Sequence, residues 1–153
     1  MHRGFKTDSE EALCALSGEL SKTKKPLRIT GHSLGAATAI LTAVNLKRLG
    51  KPIDSVTLFG CPRISNSDFF QFFKNFGIKC LVVRNKDDIV TKLPPKFIFK
   101  SYSDLILPTI VFEKDTFLRR LNFLRGHYHS SYKERLLKYK IGECHGTGQF
   151  VTV

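Results

Sequence analysis

Leu27-Arg28-Ile29-Thr30-Gly31-His32-Ser33-Leu34-Gly35-Ala36-Ala37 is the stretch on which the fold turns. Leu27 to Thr30 is a short run of strand-forming residues. Gly31-His32-Ser33-Leu34-Gly35 then passes straight into an alanine-rich segment, with Ala37, Leu41, Val44 and Leu49 on one side and Gly50-Lys51-Pro52 closing it. Strand, tight turn and helix follow one another with no linker. The five-residue turn has the form G-x-S-x-G, which in this context holds a serine hydroxyl proud of the backbone at a helix N-terminus. Both glycines are expected to lack a side chain because the sharp turn crowds its neighbours. A serine that merely caps the helix is the plain alternative.

The alternation continues outward from this unit. Thr7 and Glu10 form a capping box before Leu13, Leu16 and Leu20, which predicts a helix over residues 8–24 ending at Pro26. Val56 to Phe59 reads as a buried strand. Asn66 or Ser67 caps a Phe-rich helix ending at Gly77, and Ile78 to Arg84 is a further strand. The helix carries Phe69, Phe70, Phe72, Phe73 and Phe76, for which core packing is favoured over an acyl pocket. Beyond Pro95 the pattern weakens: one or two strands over 97–111, short helices over 117–124 and 132–139, and an irregular tail from Gly142. Strands alternating with helices predict an α/β protein with a mostly parallel sheet flanked by helices.

The 153 residues suit one domain, residues 1–153, with 42% hydrophobic and 25% charged residues, a globular rather than disordered composition. Lys and Arg number 25 against 13 Asp and Glu, a formal charge of +12 enriched beyond residue 90 without a basic block. That field favours anionic partners, yet no nucleic-acid recognition motif accompanies it. Cys14, Cys61, Cys80 and Cys144 are too dispersed for a zinc or redox motif and too few for a disulfide framework. His127-x-His129 with Cys144-His145 offers no fourth zinc ligand at a convincing spacing, so no metal is expected. The start of the chain has no apolar secretion signal, and the apolar run from Leu105 to Phe112 is too short to span a bilayer, so a cytoplasmic location is the default expectation.

A serine nucleophile needs a base and a carboxylate to orient it, and in α/β-hydrolases the chain order is Ser, then Asp or Glu, then His. Asp87 and Asp88 follow the strand ending at Arg84, and His127 and His129 lie further on, so both pairs stay open from order alone. Three segments, Gly31 to Ala37, Phe59-Gly60-Cys61-Pro62-Arg63-Ile64-Ser65-Asn66, and Arg84 to Pro95, together resemble the class 3 (fungal-type) lipase family of the α/β-hydrolase superfamily. His2-Arg3-Gly4-Phe5 is similar to that family's H-x-G-F element and His129-Ser130-Ser131-Tyr132 to its H-x-x-Y segment.

Carried over to these positions, the resemblance implies Ser33 as nucleophile, Asp88 as orienting acid and His129 as general acid/base, with His127 as the alternative base and Asp87 a neighbour only. Gly31 and Gly35 form the elbow, and the Leu34 N–H is the oxyanion donor. His32 is expected to pack or hydrogen-bond rather than act as base. The implied activity is hydrolysis of lipid carboxylic esters through an acyl-enzyme, with no cofactor, and the positive charge fits docking at an anionic membrane or lipid-droplet surface. The family's second oxyanion donor comes from an R-G-T-like segment upstream of H-x-G-F, where this chain begins, so the resemblance also implies a sheet with an unpaired edge and weakened catalysis. A module that binds lipid surfaces or a protein partner without turnover is the alternative.

Overall fold

The computed structural model describes residues 3–98, 101–113, 125–141 and 150–151. Helix α1 (Arg3–Lys22) leads into strand β1 (Leu27–His32), helix α2 (Leu34–Arg48), β2 (Ile53–Phe59), α3 (Ser67–Lys74), β3 (Lys79–Asn85), β4 (Thr109–Phe112), α4 (His129–Ile141) and β5 (Phe150–Val151). The sheet order is β1-β2-β3-β4-β5, with β1 to β4 parallel and β5 antiparallel to β4. Among the described residues β1 is therefore bonded on one side only.

Period-two alternation divides the sheet into two faces. Ile29, Val56, Leu58, Cys80 and Val82 point to the larger core, where α2 contributes Ala36, Ala37, Ile40 and Leu41 and α3 contributes Phe69, Phe70 and Phe73. Phe59, Leu81, Val83, Ile110 and Phe112 point the other way, onto Tyr132 and Leu136 of α4. Small residues along α2 let this helix lie close against β1 and β2. The Phe-rich α3 is used for the core as the sequence suggests, and its Asn66 cap accepts from the Phe69 N–H at 3.3 Å.

Several expectations need adjusting. The helix predicted over 8–24 begins at Arg3, so Thr7 and Glu10 lie inside it and the capping box does not start it. Phe5 packs against the core and Ser9, fully buried, turns its hydroxyl onto the Lys6 carbonyl, so tertiary contacts carry the helix past its local start signal. Of the one or two strands expected over 97–111, one, β4, forms among the described residues. The helix expected over 117–124 and most of the tail from Gly142 lie outside the described residues; within that tail the backbone of Phe150–Val151 pairs with β4. No described helix is long and apolar enough to cross a membrane.

The long connection from β3 to β4 is fastened by Arg63. Its guanidinium donates to the Asp104 carboxylate at 2.7 Å and to the carbonyls of Lys92 and Pro94, while Lys96 also pairs with Asp104 at 2.6 Å. Burial works against the Asp104 charge, yet the hydrogen bonds from Lys96 and Arg63 prevail and hold its carboxyl below the usual range. The loop that begins at Asp88 is thus anchored to the carboxyl end of β2.

Candidate active site

Parallel strands aligned in register put the loops after β1, β2 and β3 side by side: His32 is level with Phe59, and Phe59 with Val83. Ligand and catalytic groups of open α/β sheets gather at this carboxyl edge. Ser33 follows β1 directly, and its φ of 58° and ψ of −126° place it in a conformation that L residues avoid. It is the one non-glycine with positive φ among the described residues. The strain is held from several directions. The Ser33 N–H donates to the Phe59 carbonyl at 2.9 Å and the Ser33 carbonyl accepts from the Ala36 N–H at 3.0 Å.

Gly31 shows why the turn admits no side chain before the serine. A Cβ built there would overlap the Gly35 carbonyl oxygen and stand 2.7 Å from the Ala36 nitrogen, both immovable backbone. Gly35 is different: a Cβ at that position would meet nothing within 4 Å. The expectation that both glycines are required for lack of room is therefore corrected at Gly35, which occupies an exposed place in the first turn of α2 and leaves its side-chain position open.

Ser33 does not cap α2, because its hydroxyl makes no side-chain capping bond. Instead the hydroxyl lies 2.7 Å from His127 Nε2. The other ring nitrogen, Nδ1, stands 3.1 and 3.0 Å from the two carboxylate oxygens of Asp88. The arrangement fixes the tautomer: a buried carboxylate accepts, so Nδ1 carries the proton and the unprotonated Nε2 accepts from the Ser33 hydroxyl. Among the described residues the Leu34 N–H, in the first turn of α2, donates to no backbone acceptor.

Asp88 is fully buried and correspondingly well supplied with donors. Oδ1 accepts from the Val90 N–H at 2.9 Å, and Oδ2 accepts from the Tyr132 hydroxyl at 2.6 Å. Tyr132 in turn accepts from the Asn85 N–H at 3.2 Å. Burial, and then the Asp88 carboxylate, push the Tyr132 hydroxyl well above its ordinary range, so it remains a donor. Gly60, with φ of 56°, lets the β2 loop pass beside this pair: a Cβ there would come 2.8 Å from Asp88 Oδ2.

The structure does not bring His129, the histidine expected as base, to Ser33. His129 is the first residue of α4; its exposed ring lines a cavity of about 500 Å³ with Phe59 and Leu136, and among the described residues it bonds to neither Ser33 nor Asp88. Tyr132, three residues further along the same helix face, is the α4 side chain that reaches Asp88. His127 precedes the helix in a 3₁₀ turn, Arg125–His127, that folds back over the β3 loop. Asn85 Nδ2 grips that turn by the Gly126 carbonyl at 2.7 Å.

Gly126 was the overlooked signal: a Cβ there would press to 2.9 Å on the Asp87 backbone, so the chain can come this close only without one. Asp87, expected to be a bystander, forms a two-pronged ion pair with Arg135 of α4 at 2.9 and 3.0 Å. It ties the helix that bears Tyr132 to the loop that bears Asp88. His32 acts as expected of a hydrogen-bonding residue, with Nε2 2.7 Å from the His127 carbonyl.

Comparison with known proteins identifies the family. The family model for class 3 lipases matches residues 2–98. The chain is 46% identical over 68 residues to the chloroplastic phospholipase A(1) DAD1 of Arabidopsis thaliana, a match covering 43% of this chain and 15% of that protein. It is 36% identical over 100 residues to the secreted mono- and diacylglycerol lipase 1 of Fusarium solani, covering 62% and 30% respectively. A solved triacylglycerol lipase whose catalytic centre is formed by a serine protease triad superimposes with a TM-score of 0.58 at 26% identity, over 73% of this chain and 44% of that one. The chain thus spans less than half the length of each of these proteins. A strained G-x-S-x-G elbow on a parallel sheet, together with the family match over most of its length, shows that this chain belongs to the class 3 lipase family of the α/β-hydrolase superfamily.

Proposed function

We propose that this chain carries the catalytic centre of a serine ester hydrolase acting on the carboxylic esters of lipids, with Ser33 as nucleophile, His127 as general acid/base and Asp88 as orienting acid. The observation that carries the reading is the unbroken path from Ser33 Oγ to His127 Nε2 at 2.7 Å and from Nδ1 to a fully buried carboxylate at 3.0 Å. His127 removes the hydroxyl proton as Oγ attacks the ester carbonyl carbon. The resulting oxyanion meets the Leu34 N–H and the positive end of α2. His127 then passes the proton to the leaving alcohol, which leaves an acyl group on Ser33. Water, deprotonated by the same Nε2, attacks that acyl carbon; the fatty acid departs and Ser33 recovers its proton. Asp88 holds the imidazole in the required tautomer and balances the charge it acquires.

The names of the relatives, phospholipase A(1) and mono- and diacylglycerol lipase, support glycerolipid esters as the substrate class. The +12 charge supports adsorption to anionic lipid surfaces. Fatty-acid release from phosphatidylcholine vesicles and from diacylglycerol emulsions tests the proposal. The wild type should turn over at least one of them and Ser33→Ala should lose about 10⁴-fold or more. Turnover that persists in Ser33→Ala would overturn it. One observation favours a second reading, a lipid-surface module without turnover: β1, which bears the nucleophile, has a bonded neighbour on one side only among the described residues. Vesicle binding unchanged in Ser33→Ala, with no ester cleaved by either protein, would select that reading.

A further inference from the structure

We propose that His32, the residue between the elbow glycine and the nucleophile, is a positioning residue that holds the base in register with Ser33 through the His127 backbone. The inference rests on the proposed roles of Ser33 and His127 and adds a residue to them. His127 stands on a 3₁₀ turn of three residues, too short to fix its own geometry. Two successive carbonyls of that turn are held by side chains from elsewhere: Gly126 by Asn85 Nδ2 and His127 by His32 Nε2, each at 2.7 Å.

A carbonyl only accepts, so His32 Nε2 must carry a proton and donate. The His32 ring lies 4.8 Å from that of His127, tilted by 31°, and meets Tyr132 edge-on at 5.7 Å. A closed circuit results: Ser33 backbone to His32 side chain, to His127 carbonyl, to His127 ring, and back to Ser33 Oγ. The link to the strained Ser33 backbone matters because His32 shares a peptide bond with it. Whatever fixes the elbow also fixes the donor that clamps the base.

Protonation behaviour fits this role. Burial lowers the His32 pKa, the hydrogen bond to the His127 carbonyl opposes that, and the neighbouring His127 lowers it again. His32 therefore stays neutral while keeping its Nε2–H, and a neutral ring does not repel the imidazolium that His127 becomes during turnover. The mechanism gives His32 no proton to transfer. Its contribution is the distance between Oγ and Nε2.

Two polar variants separate the clamp from simple packing. In His32→Gln the amide nitrogen extends as far as Nε2 and can donate to the His127 carbonyl; in His32→Asn the side chain is one methylene shorter and cannot. The readouts are the rate of Ser33 modification by a fluorophosphonate and the downfield proton resonance of His127 Nδ1–H in its bond to Asp88, with near-ultraviolet circular dichroism to show that both variants fold. His32→Gln should label within about threefold of wild type and keep the resonance, whereas His32→Asn should label about ten- to a hundredfold more slowly and broaden it. Equal labelling and equal resonances in the two folded variants would overturn the clamp. If the wild type itself fails to label, the proposed catalytic roles fail, and the resonance still decides the clamp: its loss in Asn and retention in Gln support it, and identical behaviour refutes it. Should His32→Asn not fold, His32→Gln alone decides, because slow labelling with a lost resonance in that folded variant also overturns the proposal.

Discussion

Alanine at Gly31 and alanine at Gly35 should move this protein in opposite directions, although the two glycines flank the nucleophile symmetrically in sequence. At Gly31 the new Cβ collides with the Gly35 carbonyl and sits 2.5 Å from its carbon and 2.7 Å from the Ala36 nitrogen. None of these atoms can yield without opening the first turn of α2. Overpacking of that kind costs about 3 kcal/mol, and a shift of the serine by about 1 Å removes about a hundredfold in reactivity. At Gly35 the Cβ meets nothing within 4 Å and the residue is helical, so alanine gains about 0.5–1 kcal/mol from reduced chain entropy. For a chain of this size the two changes correspond to a melting temperature about 6–12 °C lower for Gly31→Ala and about 1–4 °C higher for Gly35→Ala. Thermal melts by circular dichroism, read beside the fluorophosphonate labelling rate, check both. Equal destabilisation by the two alanines would refute the claim that only the position before the serine is sterically closed.

Other consequences follow from the groups around Asp88. Tyr132→Phe removes a 2.6 Å bond to a buried carboxylate and should cost about 2–3 kcal/mol at neutral pH. Because the Tyr132 hydroxyl is raised above its ordinary value of 10.0, its contribution is complete below about pH 10 and declines above it; the stability gap between wild type and Tyr132→Phe, from urea melts, should narrow there and stay constant between pH 7 and 9. A gap that widens with alkali would contradict the bond. The Asp87 and Arg135 pair is partly exposed, with side-chain exposures of 31% and 14%, so a double-mutant cycle with Asp87→Asn and Arg135→Leu should give a coupling of about 1 kcal/mol, and a coupling indistinguishable from zero would remove the tie between α4 and the β3 loop. Asn66→Ala should lower stability by about 1 kcal/mol through loss of the α3 cap, with labelling of Ser33 unchanged; a change in labelling would show that α3 reaches the site.

Local chemistry made the elbow and the sheet readable. Gly31, a strand before it and alanines after it are consecutive in the chain, and the alternation of strands and helices from Leu27 to Asn85 needs nothing beyond periodicity and caps such as Asn66. Loop position after a parallel strand pointed to Asp87 and Asp88 alike, and only the family resemblance singled out Asp88; the difference between them, one buried beside His127 and the other paired with Arg135, is a matter of tertiary contacts. The base was not legible either. His127 and His129 differ by two residues, and the choice between them depends on where α4 begins and on which of its residues meets Asp88. Both are settled by contacts that span the fold: Asn85 to Gly126, Asp87 to Arg135, and Tyr132 to Asp88. The resemblance to the family's H-x-x-Y segment favours His129, but Tyr132 donates its hydroxyl to Asp88 while His127 is the histidine that reaches Ser33. Thr7 fails for a similar reason, because Phe5 and Ser9 pack into the molecule and extend α1 past a valid local start.

The choice of base also supplies the most direct test of the account. Intact mass after fluorophosphonate treatment should show a single adduct on the wild type and on His129→Ala, and none on Ser33→Ala. His127→Ala should react at least about 10³-fold more slowly than wild type. Rapid labelling of His127→Ala, together with loss of the adduct in folded His129→Ala, would contradict the assignment and return the base to the helix start.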